Sequence, residues 1–120
     1  MLTDDRMLNL AKLMDVSVLR SQVHASNLAN QNTPGYVARK VSFEDAFADA
    51  VAQGNNEQAR SIEAKVVEDA SGSFDNDGNN VSSQNEAGML AQNRILYETY
   101  IAAMRGKNRL LEAAMRSPGG

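Results

Sequence analysis

Apolar residues recur at helical spacing from near the start of the chain. Leu10, Leu13, Val16, Leu19 and Val23 make one row, and Met7, Met14, Val18, Ala25 and Leu28 make a second beside it. Together they form a broad apolar arc on a helix predicted over residues 5–31. Thr3 is placed to cap it, with Asp4 and Asp5 in the first turn, where carboxylates meet the positive end of the helix dipole. The helix must stop before Thr33-Pro34-Gly35, because the residue before proline avoids the helical region and Pro34-Gly35 suits the centre of a type II turn.

The second long pattern is C-terminal. Leu90, Tyr97, Ile101, Met104, Asn108, Leu111 and Met115 lie along one stripe, flanked by Met89, Leu96, Tyr100, Ala103 and Leu110. Ser83-Gln84-Asn85-Glu86 reads as its capping box and Ser117-Pro118-Gly119-Gly120 as its stop, predicting a helix over residues 83–116, about 50 Å long. Gly106 lies inside it and is tolerable where another backbone packs close. Between the two patterns, Phe43, Ala46, Phe47 and Ala50 share the face of a short helix, with Ser42 and Asp45 as its capping box and a stop near Gly54. Residues 54–82 are dominated by Gln, Asn, Ser, Gly and acids. Ile62, Ala64 and Val66 alternate as in a strand, and Phe74–Val81 could supply a turn and a second strand, making a marginal hairpin. Disorder until assembly is an equal reading.

The expectation is therefore one mainly α domain over residues 1–120. Its long terminal helices pack as a coiled-coil-like pair, residues 32–53 hold a turn and a short helix, and residues 54–82 are a variable middle. A two-helix hairpin buries only a narrow seam on each helix, whereas both helices here present two apolar rows. The excess predicts further helices from other subunits; an intramolecular bundle with the 43–53 helix as third member is the alternative. Asn27, Asn30, Asn93 and Asn108 fall in or beside the stripes. Amides at a seam cost stability and can fix register, and partly exposed polar positions are the other reading.

Composition supports an extended molecule over a globule. Of the 42% hydrophobic residues in the 120-residue chain, 17 are Ala, which leaves few large groups for a core. The net charge of −3 is an average over unlike parts: residues 1–42 carry +2, residues 43–85 carry −7 and residues 86–120 carry +2. With no cysteine there is no disulfide, thiolate metal site or thiol nucleophile. The single histidine, His24, reads as a helix-surface residue, so a triad or His-rich metal site would need borrowed groups. Asp75-Asn76-Asp77-Gly78-Asn79 approaches a calcium loop, but its glycine falls at position 4 instead of 6 and a plain turn is expected. Arg105, Lys107, Arg109 and Arg116 complement the dipole of the last helix and need no nucleic acid to explain them. There is no apolar run of membrane-spanning length and no basic, apolar leader. Nothing points to an enzyme, a cofactor or a small-molecule substrate.

The stretch Ala25-Ser26-Asn27-Leu28-Ala29-Asn30-Gln31-Asn32-Thr33-Pro34-Gly35-Tyr36-Val37-Ala38-Arg39 resembles the N-terminal signature of the bacterial flagellar axial proteins, the rod, hook and hook-associated subunits. In that family a small-Asn-apolar-small-Asn helix end runs into Thr-Pro-Gly-Tyr and a basic residue. Asp77-Gly78-Asn79-Asn80-Val81, the helix through Met89-Leu90-Ala91-Gln92-Asn93-Arg94-Ile95-Leu96-Tyr97, and Gly106-Lys107 before a Leu-rich end are similar to the closing block of the B-type proximal rod subfamily of the basal body. Relatives are commonly acidic after the Asp-Gly-Asn turn, where this chain has Ser82-Ser83-Gln84-Asn85, and a C-type proximal rod subunit is the nearer alternative.

The resemblance implies a structural subunit of the proximal rod, built with other rod proteins into a helical tube that transmits torque and lets axial proteins pass. It implies a periplasmic rod position and export through the flagellar type III apparatus without a cleaved signal peptide. The implied partners are other copies, other rod proteins, the hook-basal body adaptor at the membrane ring and the export apparatus. It assigns an assembly motif to Asn27, Asn30, Thr33, Pro34, Gly35, Tyr36 and Arg39. Helix packing is expected from Leu10, Met14, Leu19, Val23, Leu28, Leu90, Leu96, Tyr97, Tyr100, Ile101, Met104 and Leu111. A soluble helical adaptor or secretion chaperone, which the acidic middle would also suit, is the rival from another class.

Overall fold

A computed structural model describes residues 4–116. The elements in chain order are α1 (Asp5–Ala29), β1 (Arg39–Ser42), α2 (Glu44–Ala52), α3 (Asn56–Ser61), β2 (Lys65–Glu68) and α4 (Ser83–Arg116). The long helices α1 and α4 lie antiparallel in a molecule of 70 × 27 × 16 Å, so the chain is mainly helical and elongated as the pattern predicts. Thr3, read as the N-cap, and the stop at residues 117–120 lie outside the described residues. The cap of α1 is Asp4, whose carboxylate accepts from the Met7 N–H at 2.9 Å.

Polar side chains mark the register of the helix pair. Lys107 Nζ pairs with Asp4 at 2.5 Å, Asn93 Nδ2 donates to the Ser17 carbonyl at 2.7 Å, and His24 Nδ1 donates to Glu86 Oε2 at 2.6 Å. Each step toward the C-terminus on one helix is matched by a step toward the N-terminus on the other. In this register the last two turns of α4, residues 108–116, run past Asp4. Leu110 and Met115 there are 73% and 67% exposed.

The compact core sits on the opposite side of α1 from its second apolar row. Val16 and Val23 of α1 meet Val41, Phe43, Phe47, Ala50 and Ala59, and the Phe43 and Phe47 rings stack with centroids 5.0 Å apart. Arg20 pairs with Glu44, and Arg60 with Asp5 at 2.9 Å, which ties α2 and α3 along α1. β1, α2 and α3 cover one flank of α1; Met14 is half-buried and Ala11 and Val18 are exposed on the other.

Four local expectations fail, three of them because a tertiary partner outbids the local one. The strand near Val66 is β2, and it pairs antiparallel with β1 (Arg39↔Glu68, Ser42↔Lys65), not with Phe74–Val81, whose backbone is committed to a turn. Ser42 is taken into that ladder, so α2 starts after Phe43 without a side-chain cap. Ser82 instead of Ser83 caps α4, accepting from Asn85 N–H at 3.3 Å, and Glu86 is released from the expected capping box to reach His24. A further short helix, α3, forms in the segment read as irregular, capped by Asn55 through the Gln58 N–H. At Gly106 the space a Cβ would fill is open, so no neighbouring backbone among the described residues requires glycine there.

The Asp4 carboxyl is held below its ordinary value of 3.8 by the hydrogen bond to Lys107 and then by the Met7 N–H. A lowered carboxylate stabilises the fold above its unfolded value and stops doing so as pH falls through its folded one. Thermal unfolding followed from pH 6 downward is expected to lose stability below 3.8 more steeply in the native chain than in Asp4→Asn. Identical profiles would show that this end contact contributes nothing.

Candidate assembly interface

The Asn-rich end of α1 and the loop 30–38 form one hydrogen-bonded corner. α1 ends because its C-cap, Asn30, begins a turn leading into Thr33-Pro34-Gly35-Tyr36, in which Tyr36 N–H donates to the Thr33 carbonyl at 3.2 Å and Gly35 takes φ +74°. Positive φ at the third turn position is the type II requirement, and glycine meets it without a Cβ penalty. Asn27 is fully buried. Its Oδ1 accepts from Arg39 N–H at 2.9 Å and Tyr36 O–H at 3.1 Å, and its Nδ2 donates to the Arg39 carbonyl at 2.8 Å. In an antiparallel ladder alternate residues turn their polar groups to alternate sides. Ala38 accepts from Asp69 across the sheet, so Arg39 faces away from β2, and the Asn27 amide takes the place of a third strand.

The loop before α4 docks on this corner. Asp75 Oδ1 accepts from Asp77 N–H at 2.9 Å and Asn79 N–H at 3.0 Å, which folds the turn, and Gly78 takes φ +77°. A Cβ on Gly78 would lie 3.6 Å from the Gly35 Cα, and Gly35 N–H donates to the Asp77 carbonyl at 2.7 Å. Two buried asparagines complete the junction. Asn79 Nδ2 donates to the carbonyls of Asn30 and Thr33 at 2.8 and 2.9 Å, satisfying acceptors left over where α1 ends. Asn80 inserts between the strands, accepting from Ala38 N–H at 2.6 Å and donating to the Asp69 carbonyl at 2.7 Å. The Ser71 hydroxyl and N–H lower the Asp69 carboxyl below its ordinary value.

The seam between α1 and α4 is more polar than its sequence pattern. His24 and Glu86 are buried together, correcting the surface reading of the only histidine. Asn93 bridges the Ser17 carbonyl and the Ser21 hydroxyl at 2.7 and 2.6 Å; among the described residues its Oδ1 and the Ser17 hydroxyl have no partner. Of the residues expected to pack the helices, Val23 is buried, although against the sheet and α2. Leu10, Met14, Leu19, Leu28, Leu90, Tyr97, Tyr100, Ile101, Met104 and Leu111 are half-buried, and Leu96 is exposed. Burial raises the Tyr100 phenol above 10.0, with Arg20 and Glu44 near it. Among the assembly-motif residues, Asn27, Asn30 and Tyr36 are drawn into the corner, whereas Thr33, Pro34, Gly35 and Arg39 are exposed, with the Thr33 hydroxyl donating to Asn30 Oδ1 at 3.1 Å. Asn108 is exposed. Asn79, Asn80, Glu86 and His24 are the structural residues that pattern reasoning missed. Periodicity carries no signal for an amide in a loop, and the run Asn79-Asn80 beside Gly78 was the one cue.

No family model matches the chain. It is 28% identical over 124 aligned positions to the flagellar basal body rod protein FlgB of Bacillus subtilis (strain 168), covering 89% of this chain and 90% of that protein. It is 31% identical over 105 positions to FlgB of Aeromonas hydrophila (78% and 80%) and 29% over 109 positions to FlgB of Aquifex aeolicus (strain VF5) (88% of each). With the long terminal helices and the Asn-Thr-Pro-Gly-Tyr corner, these likenesses make the chain a structural subunit of the flagellar basal-body rod. Within that class it belongs to the flagellar basal body rod protein FlgB family.

The corner should be costly to open. Asn27→Ala leaves both polar groups of Arg39 without their partner and is expected to lower stability by about 2–3 kcal/mol, against less than about 0.5 kcal/mol for the exposed Asn108→Ala. Urea unfolding of the two variants makes the comparison, and equal midpoints would remove Asn27 from this role.

Proposed function

We propose that this rod subunit occupies the periplasmic stretch of the basal body, where copies of it and other rod proteins pack into a helical tube that transmits torque and lets axial proteins pass. Its neighbours are further rod subunits and the adaptor at the membrane ring, and it reaches them through the flagellar type III apparatus without a cleaved signal. The observation that carries this reading is the unused apolar surface on both terminal helices. Val18 of α1 and Met89, Ile95, Leu96, Leu110 and Met115 of α4 are exposed on a chain whose folded core is small. Such surface is costly in water and favours association with other helices. A contact that joins unlike surfaces without closing generates an open helical array, as a tube requires.

The corner contributes direction. Asn27, Asn79 and Asn80 hold the Pro34-Gly35 turn against α4's leading loop, so the exposed Thr33, Pro34 and Arg39 are presented in a fixed orientation at one end of the molecule. They serve as the assembly motif. In cells whose only copy of the gene encodes Pro34→Ala with Gly35→Ala, swimming is expected to be lost while the amount of subunit stays near normal. Normal swimming would overturn the assembly role of the turn.

A further inference from the structure

The two flanks of the α1–α4 hairpin are treated differently by the rest of the chain. On one, α2, α3 and the sheet cover Val16, Val23 and Asn27. On the other, a groove of about 170 Å³ lies open between the helices, lined by Ala11, Met14, Asp15 and Val18 of α1 and by Tyr97 and Met104 of α4. Val18 is 46% exposed, and Asp15 has no ion-pair partner among the described residues. At the end of the same hairpin, residues 108–116 of α4 project beyond Asp4 with Leu110 and Met115 uncovered. Among the described residues, one molecule thus carries an unfilled groove and an unburied helix end that cannot reach it.

We infer that the groove receives the projecting end of α4 from a second copy of this chain. The inference rests on the rod-subunit reading above and adds which surfaces meet. Lengths agree: nine residues of helix span about 13 Å, and the groove runs from Ala11 to Val18, about 10 Å along α1. Charge agrees as well. The projecting end carries Arg109 and Arg116 with Arg105 behind them, and Glu112 as its only acid, whereas the groove is lined by the single charge of Asp15. A symmetric contact between two projecting ends would set those arginines against their own copies. Ala11 leaves room for close approach, and Leu110 supplies an apolar group to cover the exposed Val18 beside Met14. Because groove and projection lie at different places on one subunit, each copy that accepts a neighbour still offers its own end to the next.

The absence of native cysteine makes the contact directly testable. Residues 18 and 110 lie at separate places along the hairpin, about 27 Å apart in helix rise, well beyond the 7 Å limit for a disulfide within one chain. In basal bodies isolated from cells expressing only Val18→Cys with Leu110→Cys, oxidation is expected to link subunits into dimers and higher multimers that reductant dissolves. Neither single variant should form this ladder. In the same preparation Asp15→Arg is expected to reduce the cross-linked fraction at least tenfold, and Arg109→Asp added to it to restore the yield. Basal bodies that contain the double-cysteine subunit but yield no multimers would overturn the docking and leave the rod function standing. Absence of the unaltered subunit from basal bodies would instead overturn the reading on which the docking rests. Loss in Asp15→Arg that Arg109→Asp does not repair would overturn the pairing of those two charges.

Discussion

The side-chain amide of Asn27 stands where a neighbouring β-strand would otherwise be. Emerging from a long helix, it presents an acceptor and a donor at the spacing of a peptide group, and Arg39 uses both while Tyr36 shares the acceptor. A two-stranded sheet of four residues per strand is marginal on its own. Held by Asn27 on its outer edge and by Asn80 at its open end, it becomes a fixed platform. The direction in which the chain leaves α1, the seating of Phe43 and Phe47 on that helix and the approach of the loop that starts α4 all follow from this junction.

The same economy governs the helix pair. Apolar surface is non-directional and allows one helix to slide along another, but a hydrogen-bonded pair tolerates only one position. His24 with Glu86, Asn93 with Ser17 and Ser21, and Lys107 with Asp4 therefore select the register along the hairpin. Spending buried positions on polar pairs costs stability that hydrophobic packing could have supplied. One apolar row of α1 is then covered by the sheet and α2, while Val18 of the other row stays exposed.

Much of this was legible in the chain. The rows Leu10–Val23 and Leu90–Leu111 announce two long helices, and Pro34-Gly35 announces the turn between α1 and the sheet, because each signal is local and set by backbone sterics. The partners of the amides were not legible. Asn79 and Asn80 meet residues more than 40 positions away, and nothing in periodicity distinguishes an asparagine that ends a helix from one that only ends a loop. His24 shows the limit most plainly, since a lone histidine among helical residues reads as surface until its carboxylate partner, 62 residues away, is known.

The sequence by itself determined the helical class, the two apolar rows on each long helix, the acidic middle and the position of the turn, since these depend on residues within a few places of one another. Only the tertiary structure decided that β1 pairs with β2, that Ser82 and not Ser83 caps α4, and that one flank of α1 is covered while the other stays open. Those outcomes depend on competition between distant groups for the same hydrogen bonds and the same apolar surface, and that competition is settled only when the chain has closed on itself.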